Sequence, residues 1–90
     1  MAHEIRASIY QVTKEFSINS ESICRVGDII LVNEDGYDGA WGDNLTQGFG
    51  FCPFCEYESV KTIDNKDMDI DEYFAISRGQ KSLAEDNTFP

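Results

Sequence analysis

The chain has 90 residues, with 17 acidic and 7 basic side chains, a formal net charge of −10, 41% hydrophobic residues and 12% aromatic ones. That length holds one domain with a modest core, and the hydrophobic share is that of a globular chain rather than a disordered one. The Lys and Arg clusters that grip nucleic-acid phosphates or an anionic membrane are missing, no apolar run nears the roughly 20 residues of a spanning helix, and the start Met1-Ala2-His3-Glu4-Ile5-Arg6 has no apolar signal core, so a cytoplasmic protein touching neither nucleic acid nor membrane is expected.

Ile5 to Val12 sets Ile5, Ile9 and Val12 among polar neighbours, and its β-branched content predicts a first strand. Thr13 to Ser22 is polar apart from Phe16 and Ile18, which predicts a long loop or irregular hairpin with those two side chains tucked inward. Ile23 to Val32 is the strongest strand signal. Gly27-Asp28 punctuates it, and the unbroken run Ile29-Ile30-Leu31-Val32 predicts a strand buried on both sides or at a barrel corner. Asn33 to Gly39 is dense in turn formers, Ala40-Trp41-Gly42 starts another strand, and Asp43 to Gly48 reads as a second turn. In Phe49-Gly50-Phe51-Cys52-Pro53-Phe54, strand alternation puts Phe49 and Phe51 on one face, with glycines permitting a sharp bend. Glu56 to Ile63 alternates as a last strand. A tail begins at Asp64-Asn65-Lys66. Within it, Asp67 to Ile76 predicts a short helix with acids in its first turn and an apolar stripe of Ile70, Tyr73, Phe74 and Ile76, and Arg78 to Pro90 is expected to fray. Short strands at intervals of about 8–12 residues predict a mainly β fold, a small β-barrel over residues 1–63 with an acidic C-terminal extension over 64–90, partly helical.

Three cysteines without a secretory signal argue against a disulfide framework. Cys52-Pro53-Phe54-Cys55 forms a C-x-x-C pair with three readings. A redox dithiol needs the first Cys at a helix N-terminus, where the dipole lowers its pKa; here Glu56-Tyr57-Glu58-Ser59-Val60 follows, a poor helix whose acids raise a thiol pKa. Structural zinc needs four ligands, and only Cys24, Cys52, Cys55 and His3 together could supply them. The plain reading makes Cys24 a small buried apolar residue and the other two strand residues. No cofactor is expected on that reading, zinc being the alternative. Catalytic parts are lacking too: His3 is a lone histidine, and Gly36, Gly39, Gly42, Gly48 and Gly50 have neither the strand–turn–helix context nor the lysine of a phosphate loop. A non-enzyme is expected.

Two features remain. The aromatic residues Tyr10, Tyr37, Trp41, Phe54 and Tyr57 could form a shallow apolar groove that anchors a partner. Acidic residues gather in Glu34, Asp35, Asp38 and Asp43 and again in Asp67, Asp69, Asp71 and Glu72. Such charge attracts a basic surface and speeds association. The expected partner is therefore a protein with a basic surface, contacted by Tyr10, Tyr37, Trp41 and Tyr57 and paired by Glu34, Asp35 and Asp38. The alternative is an inhibitor that imitates nucleic acid, with carboxylates in two rows on one face, blocking a DNA- or RNA-binding enzyme.

The middle of the chain resembles an SH3 domain. That family opens with a strand carrying Ala-Leu-Tyr-Asp-Tyr, then a long acidic loop, a Gly-Asp followed by an apolar strand, an acidic loop ending near a Trp pair, and a Gly-apolar-Phe-Pro segment closed by a Tyr. Here Ser8-Ile9-Tyr10, Gly27-Asp28-Ile29-Ile30-Leu31-Val32, Asp38-Gly39-Ala40-Trp41 and Gly50-Phe51-Cys52-Pro53 stand in that order over about residues 7 to 60. The resemblance implies an SH3-like barrel. Val12 replaces the second aromatic of the first motif, Ala40 stands at the ligand-facing Trp unless Trp41 has slipped into that role, and Phe54-Cys55-Glu56-Tyr57 replaces the usual ending. The family's binding of proline-rich peptides rests on the aromatics that are missing or displaced here, so the resemblance implies the fold rather than that activity.

Overall fold

The structure, a computed structural model, describes residues 3–36 and 39–81. Strands β1 (Glu4–Val12), β2 (Phe16–Ser17), β3 (Ile23–Cys24), β4 (Ile29–Asn33), β5 (Trp41–Asn44) and β6 (Phe49–Phe51) are followed by a 3-10 turn at Tyr57–Ser59, strand β7 (Val60–Asp69) and helix α1 (Ile70–Ser77). Five strands form one antiparallel sheet in the order β6-β5-β4-β1-β7, while β2 and β3 make a separate small hairpin. The mainly β class and the short C-terminal helix agree with expectation. The closed barrel does not: β6 and β7 are the two ends of the sheet order and do not pair with each other among the described residues.

The physical reason is that the sheet is covered on both faces. On β1, Ile5, Ala7 and Ile9 point to one side and Ser8, Tyr10 and Val12 to the other, following the two-residue period of a strand. The first set joins Leu31, Met68, Tyr73 and Ile76 in a cluster capped by α1. Of the second, Tyr10 and Val12 join Cys24, Ile30, Val32, Phe51 and Phe54, with Phe16 and Ile18 packed against them from the small hairpin. The apolar run of β4 follows directly, since Ile30 and Val32 serve one cluster and Leu31 the other. With a layer on each side, the core is buried without closure.

The last strand is longer than the alternating stretch Glu56 to Ile63 predicted. Tyr57–Ser59 coils into the 3-10 turn, and β7 then runs to Asp69, with residue 63 inside it. A register shift between Ile9 and Tyr10 puts Ile9 opposite Asp64 and Tyr10 opposite Thr62, leaving Ile63 as the extra residue of a bulge. The bulge reverses the phase. Val60 packs with the hairpin-side cluster, whereas Met68, also an even-numbered residue, lies opposite Ile5 in the helix-side cluster. Helix α1 starts at Ile70, whose N–H donates to the His3 carbonyl at 2.8 Å, and Gly79 (φ 77°) ends the turn beyond it. Of the predicted stripe, Tyr73 and Ile76 are buried, Ile70 packs on the core edge, and Phe74 is 41% exposed.

Gly42 marks where β5 passes under the aromatic cluster. A Cβ there would meet Phe51 Cζ at 3.0 Å and Phe54 Cβ at 3.4 Å. Gly42→Ala is expected to lower the unfolding free energy by about 1–3 kcal/mol through overpacking, read from a urea midpoint; an unchanged midpoint would mean that Phe51 moves aside freely.

Candidate functional site

The hairpin-side face carries the site. The Tyr10 hydroxyl donates to Glu34 Oε2 at 2.7 Å, and the Tyr57 hydroxyl donates to Glu34 Oε1 at 3.1 Å. Glu34 follows β4 directly, and its N–H donates to the Arg6 carbonyl at 2.9 Å, so the strand pairing fixes where the carboxylate points. Phe54 is buried between the two tyrosines, stacked on Tyr10 with centroids 5.6 Å apart and edge-on to Tyr57 at 4.8 Å. Tyr57 is also edge-on to Tyr10 at 5.9 Å, yet 46% exposed.

Burial first, then the Glu34 charge and its hydrogen bond, push the Tyr57 hydroxyl up to about 12. Burial and the hydrogen bond to Glu34 raise Tyr10 as well. Glu34→Gln is therefore expected to bring Tyr57 ionisation to lower pH in an alkaline absorbance titration, because the carboxylate that opposes a phenolate is gone. A titration curve identical to wild type would mean that the bridge is not formed.

Beside Tyr57 lies a groove of about 660 Å³ lined by Lys14, Glu15, Phe16, Cys55, Glu56, Glu58 and Ser59. It joins the β1–β2 loop to the 3-10 turn, which Thr13 and Lys14 hold by donating their N–H groups to the Ser59 carbonyl at 2.8 and 3.2 Å. Three glutamates face one lysine there. Glu15 is met at the rim by Arg25 at 3.9 Å, an exposed and loose pair that adds little.

Trp41 is elsewhere. It pairs with Asn33 at the start of β5 and shares the α1 side of the sheet with Asp43, which lies opposite Leu31. Ala40 packs instead with the Tyr10 and Phe54 cluster. Trp41, 46% exposed, borders a second groove of about 410 Å³ with Asn33, Gly36, Gly39, Cys52, Tyr73 and Phe74. Asp43 receives the Tyr73 hydroxyl at 2.9 Å and a hydrogen bond from the Trp41 side chain; burial nonetheless raises its carboxyl above the ordinary value. The structure thus brings Tyr10, Tyr57, Phe54 and Glu34 together and sets Trp41 on the opposite face. Asp35 reaches across to β1, its Oδ2 accepting the Arg6 N–H at 2.8 Å. Tyr37 and Asp38 lie outside the described residues.

The cysteines are scattered. Cys24 is fully buried, and burial pushes its thiol up. Cys52 and Cys55 are both exposed but line different grooves, Cys52 the one beside Trp41 and Cys55 the one beside Tyr57. His3 precedes β1 at the end remote from Val12, whereas Cys24 packs with Val12. Among the described residues, no group of three or more His, Cys, Asp or Glu side chains is placed to hold a metal ion. No helix among them is long and apolar enough to cross a membrane.

The string Glu56-Tyr57-Glu58, an aromatic flanked by acids, was the available sign of the groove. Glu15 and Phe16 carried no sign, because only folding brings them to that turn. The chain matches no family pattern, and neither curated proteins nor solved structures give a significant match.

Proposed function

We propose that the protein is a non-enzymatic, SH3-like interaction module that binds the basic surface of a partner protein through its own aromatic and acidic residues. The observation that carries this reading is the groove beside Tyr57, where a half-exposed aromatic ring sits among Glu15, Glu56 and Glu58. An exposed aromatic anchor among carboxylates that outnumber the cations beside it suits a cationic partner side chain and disfavours an anionic one. The SH3-like reading is supported by the order of parts: an opening strand with Tyr10, a long hairpin loop, an apolar strand after Gly27-Asp28, a loop ending at Ala40-Trp41, and a short strand leading into Cys52-Pro53. The open sheet limits that likeness to the order of its strands.

The test is amide chemical-shift mapping with a Lys- and Arg-rich decapeptide and an uncharged one of equal length. Shifts are expected at residues 14–16 and 55–59 with the basic peptide alone, weakening steeply between about 20 and 200 mM salt as screening sets in. Trp41 emission should stay nearly unchanged, since Trp41 faces the other side. Equal shifts from both peptides, or none from the basic one, would refute the reading.

A further inference from the structure

The groove beside Tyr57 has features beyond its charge. Its aromatic ring is held in one orientation: the hydroxyl is tied to Glu34, and the ring stands edge-on to Phe54 at 84° and to Tyr10 at 78°. Both Glu34 oxygens already accept tyrosine hydroxyls, so Glu34 works as an anchor for the platform. The carboxylates facing the groove are Glu15, Glu56 and Glu58, two of them chain neighbours of Tyr57 on either side.

We infer that this groove recognises an arginine side chain, its guanidinium laid on the Tyr57 ring while its N–H groups point outward to the flanking glutamates. The inference rests on the interaction-module reading above and names the group that the site selects. A planar guanidinium can stack on a ring and donate in its own plane at the same time, whereas a lysine ammonium is a compact, strongly hydrated point charge with no plane to lay on the ring. A ring fixed in advance loses little freedom when the ligand arrives.

The probe is a Gly/Ser decapeptide carrying a single Arg, compared with its Lys and citrulline counterparts by amide shift titration on the intact protein. Arg is expected to bind about three- to fivefold tighter than Lys, with citrulline weakest. Tyr57→Leu should abolish the preference for Arg while leaving salt-sensitive binding of a polybasic peptide, and a thermal melt checks that this variant is folded. Glu56→Gln with Glu58→Gln, which leaves the aromatic cluster untouched, should weaken Arg and Lys alike. Equal binding of Arg and Lys, or an Arg preference that survives Tyr57→Leu, overturns the inference and leaves the basic-partner reading standing. If neither the single-Arg probe nor the polybasic peptide shifts any amide, both fall together.

Discussion

Replacing Asp28 with alanine is expected to lower the free energy of unfolding by about 3 kcal/mol. Asp28 is buried, and its Oδ2 accepts three hydrogen bonds, from the Arg25 N–H at 3.0 Å, the Asn44 side-chain amide at 2.9 Å and the Gln47 amide at 2.5 Å. Asn44 is itself buried and accepts the Gln47 N–H at 2.9 Å, while the Gln47 amide also reaches the Ile23 carbonyl at 2.8 Å. One carboxylate thus ties the small hairpin to the β5–β6 turn. Its removal leaves several donors unsatisfied, and a buried donor without a partner costs more than a hydrogen bond contributes. The network also shapes the acid response. Burial works to raise the Asp28 carboxyl, but the bonds from Arg25, Asn44 and Gln47 and the Arg25 charge outweigh it and hold the group below 3.8. A depressed carboxylate stabilises the fold fully above its unfolded value, and that contribution is lost as pH falls through the lower folded value. Asp43 has the opposite sign. Its raised carboxyl takes up a proton more readily in the folded state, so stability recovers as pH falls through the folded value toward 3.8. In Asp28→Asn the first contribution vanishes and the second remains. Urea midpoints from about pH 6 to pH 3 should then fall less in the variant than in the wild type. An equally steep decline in both would remove Asp28 from the account of acid sensitivity.

How much of this could be read beforehand differs from residue to residue. The apolar run at Ile29–Val32 predicted burial on both faces, and both clusters use it. Phe16 and Ile18 tuck inward from the hairpin as their isolation in a polar stretch suggested, and Phe49 and Phe51 share a face as their spacing required. What could not be read was phase. The Ile63 bulge switches the side on which β7 buries its residues, so the alternation ends there although the strand does not. Phase also divided the expected aromatic site. Tyr10, Trp41 and Tyr57 all look like candidate anchors in the sequence, but only the pairing of Asn33 with Trp41 decides that Trp41 faces the helix. Glu34 accepts two tyrosine hydroxyls from distant segments, one on each oxygen, a convergence that no local pattern announces.

Tyr73→Ala should cost about 4 kcal/mol, and Tyr73→Phe about 1 kcal/mol. Tyr73 is 1% exposed and is the largest side chain that α1 places in the core, packed with Ile5, Ile9, Leu31 and Met68. Its hydroxyl lies 2.9 Å from Asp43 Oδ2 and 3.3 Å from the Trp41 carbonyl, so the phenylalanine variant loses one donor to a half-buried carboxylate and keeps the packing. Helix α1 has eight residues, fewer than the roughly 12 at which an isolated helix becomes even marginal in water, so docking is what keeps it formed. Truncation to alanine opens a cavity and removes the anchor at once, which is a large fraction of a small domain's roughly 5–15 kcal/mol. The groove beside Trp41 loses one wall in the same step, because Tyr73 and Phe74 both line it. Trp41 emission should therefore shift to the red in Tyr73→Ala before global unfolding, while amide signals of Tyr57 and Glu58, on the opposite face, hold their positions. A loss below about 1 kcal/mol for the alanine variant would mean that the helix is an appendage and that the sheet buries its α1 face by other means.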